Sequence, residues 1–122
     1  MELSGLGRAK PSPRGFRVAF KIWLEFEGKP VLGEGGYQLL CKIEELGSIA
    51  EASRSLGISY RKALAYIRRM ESRLSRRVVE TRRGGRGGGG EAHLTPLAHQ
   101  LIERYRAAVE AVRSSLACLQ SS

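Results

Sequence analysis

The basic side chains of this sequence are concentrated in one stretch of the chain. Between Arg54 and Arg86 there are ten arginines and one lysine but only two acids, Glu71 and Glu80, so this stretch accounts for the whole formal net charge of +9. Guanidinium groups donate paired hydrogen bonds to phosphate oxygens and to the edge of guanine. A basic face that is merely solvated would normally contain more acids among its bases. The clustering therefore predicts a polyanionic partner, and nucleic acid in particular.

The spacing of these residues separates them into two groups with different expected contacts. On a predicted helix over 59–74, Arg61, Ala65 and Arg68 fall on one stripe, and Arg61 is expected to contact a base, a guanine. Lys62, Arg69 and Arg73 lie around the helix, where they would neutralise phosphates. The residues of this helix that we assign to the DNA-binding site are Ser59, Tyr60, Arg61, Lys62, Ala65, Arg68 and Arg69. The second group, in the glycine-rich stretch that follows, is Arg82, Arg83 and Arg86.

Two helices joined by a glycine turn would position the first group of arginines. Ser48 caps the earlier helix and is followed three residues later by Glu51, which is the capping-box pattern. Gly57 suits the turn because glycine reaches positive φ without a steric penalty, and Ser59 caps the next helix. The buried stripe of that helix would be Ala63, Ile67, Met70 and Leu74. This arrangement predicts a helix-turn-helix, with a generic helical hairpin carrying a charged face as the alternative.

A hairpin after this helix would carry the second group of arginines. Positions 78–81 and 91–94 are predicted to be short strands on either side of GRGGGG at 85–90. Such a hairpin is a wing, and its glycines would let the arginines approach the DNA backbone or minor groove. The GRGGGG run also matches a dinucleotide-binding fingerprint literally. No strand-helix-strand unit surrounds it, so a cofactor loop is not predicted there.

Elements before and after this unit complete a fold that is predicted to be mostly α-helical with a small β-wing. A leading strand is predicted over 16–26, where the alternating residues of the buried face are Phe16, Val18, Phe20, Ile22, Leu24 and Phe26. Thr95 and Pro96 begin a long C-terminal helix that runs toward Leu119. A coiled-coil-like stripe on this helix is assigned to a dimer interface, namely Leu101, Tyr105, Ala108 and Val112. Packing of the helix entirely on its own domain is the alternative.

The chain divides into three parts on this interpretation. Positions 1–15 are broken by Pro11 and Pro13, lack the apolar core of a signal peptide, and are predicted to be a disordered leader. Positions 16–94 form the winged helix-turn-helix, and 95–122 form the long helix with a frayed end. No apolar run is long enough to span a membrane, so a cytoplasmic location is expected.

Enzymatic chemistry is not expected from this sequence. It contains no paired carboxylates placed for catalysis, no nucleophile elbow and no metal-binding cluster, and the serines of the helix-turn-helix are better explained as caps. Cys41 and Cys118 have no CxxC partner and are expected to be buried thiols, with a redox or metal role as the alternative. His93 and His99 make a weak case for zinc. No cofactor or metal is therefore predicted.

The segment GSIAEASRSLGISYRKALAYIRRMESRL, followed by ETRRGGRGGGGEAHLT, resembles the N-terminal domain of the ModE family of molybdate-dependent transcriptional regulators. The pattern is more loosely similar to LysR-type regulators, and the resemblance covers roughly Phe16 to Arg106. It implies a winged-helix homodimer with a leading strand and a long C-terminal dimerisation helix. The family usually continues into a molybdate-binding region, for which this sequence shows no counterpart and no visible oxyanion site. DNA binding is therefore expected here, and molybdate sensing is not.

Together these features predict a sequence-specific regulator of transcription that binds double-stranded DNA as a homodimer. One alternative is an architectural protein that coats DNA without choosing a site. Another is a DNA-binding subunit whose long helix docks a separate effector protein.

Overall fold

Four helices and three antiparallel pairs of short strands make up the described part of the chain. The computed structural model describes residues 6–8, 15–83 and 90–120. In chain order the elements are β1 (Leu6–Arg8), β2 (Ala19–Lys21), β3 (Leu24–Phe26), β4 (Lys29–Leu32), α1 (Glu34–Leu46), α2 (Ile49–Leu56), α3 (Tyr60–Leu74), β5 (Val79–Arg82), β6 (Glu91–Leu94) and α4 (Pro96–Gln120). Strand β1 pairs with β2, β3 with β4, and β5 with β6. The prediction of a mostly α-helical fold with a small β-wing is confirmed.

Helix α1 lies at the centre of the hydrophobic core. Its residues Leu39, Leu40 and Ile43 are fully buried, and the helix contacts α2, α3, α4 and β6. Met70 from α3 and Val109 from α4 are buried in the same cluster. Burying an aliphatic side chain of this size contributes about 1.5–3 kcal/mol. Helices α1, α3 and α4 and strand β6 therefore all depend on one shared core for their positions.

The single leading strand predicted over 16–26 is wrong, because the chain changes its pairing partner within this segment. The first part forms β2 and pairs with β1, while the last part forms β3 and pairs with β4 across a turn at Glu27 and Gly28. Both turn residues have positive φ, 50° and 81°, as the type I′ turn of a two-residue hairpin requires. The predicted buried face is only partly covered. Its half-buried members are Phe20, Ile22 and Leu24, and its exposed members are Phe16, Val18 and Phe26.

Strand β1 lies inside the segment that the sequence assigned to a disordered leader. The structure thus contains a strand at Leu6–Arg8, with Gly7 opposite Phe20, that the sequence did not predict. Positions 1–5 and 9–14 of the leader lie outside the described residues.

The first half of α4 packs into the core of its own chain. Tyr105 is fully buried, its ring stacks on Tyr37 at a centroid distance of 4.6 Å, and its hydroxyl donates to the Ile22 carbonyl at 3.2 Å. Leu101 is also buried. A side chain that its own chain already covers has little surface left for a second copy. Leu101 and Tyr105, which the sequence assigned to a dimer interface, are therefore covered by their own chain, and this favours the alternative in which this half of α4 packs on its own domain.

The second half of α4 is less covered than the first. Ala108 and Val112, the other two residues assigned to a dimer interface, are half-buried. None of the residues from Glu110 to Leu119 is buried. Although α4 is long, none of the helices within the described ranges has both the length and the apolar character needed to cross a bilayer.

A polar cluster links α1 to α4 beside the stacked tyrosines. Arg106 Nε donates to the Tyr37 hydroxyl at 2.8 Å, and this hydrogen bond raises the pKa of Arg106. Burial raises the pKa of Tyr37, and burial together with the Glu34 carboxylate raises the pKa of Tyr105 to about 12. The expectation of two buried thiols is wrong, because Cys41 in this cluster is half-buried and Cys118 is exposed.

Candidate nucleic-acid interface

The turn between α2 and α3 has the backbone geometry expected from its glycine. Gly57 adopts the left-handed conformation, with φ of 70° and ψ of 27°, and its N–H donates to the Arg54 carbonyl at 3.1 Å. The Ile58 N–H donates to the Ser53 carbonyl at 3.0 Å. Ala52 and Ser53 are both buried, and their small side chains allow α2 and α3 to approach closely. These contacts fix the direction in which α3 leaves the turn.

Both helices of the pair begin at a serine cap, as predicted. Ser48 Oγ accepts a hydrogen bond from the Glu51 N–H at 3.1 Å, and Ser59 Oγ accepts one from the Lys62 N–H at 3.0 Å. Each such cap contributes about 1 kcal/mol to helix stability. The cap at Ser59 uses an oxygen lone pair, so the hydroxyl proton can still be donated to a phosphate. Tyr60 follows with about half of its surface exposed.

The outward face of α3 carries the residues that the sequence assigned to DNA contacts. Its exposed members are Arg61, Lys62, Ala65, Arg68 and Arg69, whereas the buried face consists of Ala63, Ile67 and Met70. Within the described part of the chain, none of these exposed cations forms an ion pair with a carboxylate. Cations without a carboxylate partner can neutralise phosphates without first breaking a salt bridge.

This outward face consists of two neighbouring stripes. A helix rotates by about 100° per residue, so one stripe contains Arg61, Ala65 and Arg68, and the other contains Lys62, Tyr66, Arg69 and Arg73. The guanidinium of Arg69 lies 5.5 Å from the centroid of the Tyr66 ring, and Arg73 donates to the Pro30 carbonyl. The base contact predicted for Arg61 and the phosphate contact predicted for Arg69 therefore belong to adjacent stripes of α3.

Glu71 has a structural role that the sequence did not reveal. Its Oε2 atom accepts hydrogen bonds from the backbone N–H groups of Val78, at 2.8 Å, and Val79, at 3.3 Å. The carboxylate thereby joins α3 to the beginning of β5. One of the two acids in the basic stretch is thus directed at backbone amides instead of the cations. A carboxylate that caps a distant strand has no recognisable spacing in a sequence, so this contact could be found only in the structure.

The predicted wing is present as the antiparallel pair β5–β6. Val79 lies opposite Leu94, and both contact the hydrophobic core. The Ala92 N–H donates to the carbonyl of Gly47, the residue that ends α1, at 2.9 Å. The base of the wing is therefore attached to the central helix.

The wing arginines lie where the two strands separate. Arg82 is the last residue of β5 and lies opposite Glu91, and Arg82 and Arg83 are both exposed. Arg86, the third arginine assigned to the wing contact, lies outside the described residues. The contacts predicted for these three residues stay predictions.

Three helices with a glycine turn between α2 and α3, followed by an antiparallel hairpin, define a winged helix-turn-helix domain. In this class of domain the helix after the turn enters a DNA groove. Residues 36–99 match the family model of the bacterial regulatory helix-turn-helix proteins, lysR family. The chain belongs to this family.

Three relatives contain a region similar to this domain. The chain is 36% identical over 106 residues to the molybdenum-pterin-binding protein MopB of Rhodobacter capsulatus. This alignment covers 87% of the chain and 38% of that protein. It is 42% identical over 67 residues to the transcriptional regulator ModE of Yersinia pestis, covering 55% of this chain and 25% of the relative. It is 35% identical over 68 residues to the transcriptional regulator ModE of Haemophilus influenzae, and this alignment covers 56% of this chain and 26% of the relative. The resemblance to a ModE-like winged helix-turn-helix is confirmed, and the chain spans at most 38% of the length of these relatives.

Proposed function

We propose that this domain regulates transcription by binding a specific site on double-stranded DNA as a homodimer. The observation that carries the proposal is the outward face of α3, where exposed cations follow directly after the helix-turn-helix turn. The first residues of such a helix point at base edges in the major groove. Arg61 would donate to O6 and N7 of a guanine, which is the commonest specific contact of arginine with DNA.

The phosphate contacts would come from the rest of α3 and from the wing. Ser59 and Tyr60 would donate hydroxyl protons near the start of α3, while Lys62, Arg68 and Arg69 would neutralise backbone charge. Arg82 and Arg83, together with Arg86, would contact the backbone or minor groove from the wing. Phosphate contacts carry no sequence information directly. Specificity would therefore reside in Arg61 and affinity in the remaining cations.

The homodimer would form through the second half of α4. Support for this comes from the absence of buried residues between Glu110 and Leu119, which leaves this half largely uncovered by its own chain. Ala108 and Val112 lie at its beginning and would contact the partner copy. Two-fold symmetry then requires a palindromic site with half-sites about 34–36 Å apart, or a multiple of that distance.

The proposal is confined to DNA binding, and a cytoplasmic location follows from it because DNA is the partner. The molybdenum-pterin binding for which the Rhodobacter capsulatus relative is named is not carried over. The alignment covers 38% of that relative, so most of it has no counterpart among the aligned residues.

Selection of bound fragments from random duplexes tests this function directly. We expect a palindromic sequence to be enriched and to stay bound when random duplex is added in excess. Complete displacement by random duplex would instead indicate an architectural protein without site preference. Light scattering on the purified protein should give the mass of a dimer. A monomer that associates only with a separate protein would support the effector-docking alternative.

A further inference from the structure

A cavity of about 540 Å³ lies beside the second stripe of α3. The β2–β4 region, the first turn of α1 and the middle of α3 form its walls. Its lining includes three basic side chains, Lys21, Arg69 and Arg73, and two aromatic side chains, Trp23 and Tyr66. These residues are far apart in the sequence, so no motif in the sequence indicated a site there.

The charge of this cavity is predominantly positive. Among the described residues, none of its three cations forms an ion pair with a carboxylate. Among the described residues that line this cavity the only acid is Glu34, whose Oε1 atom accepts a hydrogen bond from Gln38 Nε2 at 3.4 Å. Three cations against one carboxylate favour an anionic ligand, and a doubly charged one most strongly.

The aromatic side chains add an apolar surface to the same cavity. Trp23 is 48% exposed, and its indole Nε1 donates to Glu25 Oε2 at 2.9 Å, which fixes the orientation of the ring. The hydroxyl of Tyr66 lies 2.5 Å from where a Cβ atom on Gly35 would be, so a larger residue at position 35 would displace the Tyr66 ring from this wall. A held, half-exposed indole beside cations suits a ligand that has both a planar ring and a charge.

We propose that this cavity binds a small phosphorylated molecule with a planar aromatic ring, a ligand of the mononucleotide class. Lys21, Arg69 and Arg73 hold the phosphate, and Trp23 stacks on the ring. The volume is within the range of about 300–1,000 Å³ that small-molecule sites occupy, and it is far larger than an inorganic anion. The backbone amides of the first turn of α1, whose cap residue Gly33 has no side chain to accept from them, supply additional donors. Because Arg69 is also assigned to a DNA phosphate, the ligand and DNA would compete for this side chain, although ligand binding itself does not require that the domain bind DNA.

The fluorescence of Trp23 provides a direct measurement, because it is the only tryptophan in the chain. Adenosine 5′-monophosphate, adenosine and inorganic phosphate would each be titrated without DNA at constant ionic strength. We expect saturable quenching by the monophosphate, with an affinity at least about tenfold higher than that of adenosine, since charge-assisted hydrogen bonds to the phosphate are lost in the nucleoside. Equal affinities for the monophosphate and adenosine, or no quenching by either, would overturn the proposal.

Charge variants test whether the cations of the cavity hold the phosphate. Lys21→Gln should weaken monophosphate binding about threefold to tenfold and leave adenosine binding unchanged, while Glu34→Gln should strengthen it about twofold to fivefold. Lys42→Gln is the matched control, because Lys42 pairs with Glu45 on α1 and does not line the cavity. Equal effects of the Lys21 and Lys42 changes would contradict the proposal. A loss of duplex DNA affinity in Lys21→Gln without any response to the monophosphate would assign the cavity to the DNA backbone and also overturn it.

Discussion

Helices α3 and α4 each carry a regular stripe of side chains, but the stripe on α3 is exposed and the stripe on α4 begins in the core. On α3 the cations at Arg61 and Arg68 are exposed, as their charge requires. On α4 the apolar stripe begins with Leu101 and Tyr105, which are buried in the chain's own core. An unpaired charge is expensive to bury, so a charged stripe predicts solvent or a polyanion. An apolar stripe predicts only that something covers it, and gives no information on which chain does so.

The largest expected effect tests the assignment of α4 to the core. Tyr105→Ala should lower the free energy of unfolding by about 3–5 kcal/mol, because it removes a fully buried ring that stacks on Tyr37. Tyr105→Phe, the matched control, removes only the hydrogen bond to the Ile22 carbonyl and should lower it by about 1 kcal/mol. Denaturant unfolding at two protein concentrations provides the measurement. A loss of stability that appears only at low protein concentration would indicate that Tyr105 lies at a dimer interface.

The same region should also make stability sensitive to alkaline pH. The folded-state pKa of Tyr105 is raised to about 12, above the ordinary value of 10.0, because burial disfavours the phenolate. The neutral hydroxyl therefore contributes stability that is complete below pH 10 and is lost as the pH rises toward 12. Thermal unfolding between pH 9 and 12 should show this loss, and Tyr105→Phe should reduce it. An identical decline in both proteins would mean that Tyr105 is not responsible.

An intermediate effect is expected on the outward face of α3. Arg61→Ala should weaken binding to the selected site by about 1–3 kcal/mol and relax the preference at one base position. The double change Arg82→Ala and Arg83→Ala should weaken all sequences alike, because phosphate contacts do not distinguish bases. Anisotropy titrations with the selected duplex and with its single-base variants compare the Arg61 variant with the double variant. Uniform weakening by Arg61→Ala would show that α3 does not read sequence.

The smallest expected effect tests the turn that directs α3. Gly57 has φ of 70°, and placing a side chain in this conformation costs roughly 1–2 kcal/mol. Gly57→Ala should lower the free energy of unfolding by that amount, whereas Ser55→Ala, at an exposed position on α2, should leave it nearly unchanged. Chemical denaturation followed by circular dichroism compares the two variants. Equal stabilities would mean that the turn tolerates another conformation.

Local features of the helix-turn-helix could be predicted because they depend on neighbours in the sequence. The caps at Ser48 and Ser59 and the positive φ of Gly57 follow from residue types at fixed spacings. The buried stripe of α3 follows from its period in the same way. The family resemblance rests on these same residues, and it was confirmed by the match over 36–99 together with the identity to the ModE and MopB relatives.

Features that depend on distant parts of the chain could not be predicted. The alternation over 16–26 does not reveal that pairing passes from β1 to β4 near Ile22, whose carbonyl accepts from Tyr105. The bond from Glu71 to the start of β5 depends on how the chain turns after α3. The cavity near Trp23 likewise exists only because three separated segments fold together. In each case the residues that come together are determined by tertiary packing and not by local spacing.

The salt dependence of DNA binding is the most direct test of the central claim, which is that exposed cations of α3 and the wing neutralise duplex phosphates. If a dimer neutralises about six phosphates, the logarithm of the association constant should fall with the logarithm of salt concentration at a slope of about −5. Titrations of one duplex over a range of salt concentrations give this slope. A slope of about −5 that becomes shallower when Arg82 and Arg83 are replaced is the predicted result, and a slope close to zero would contradict the account.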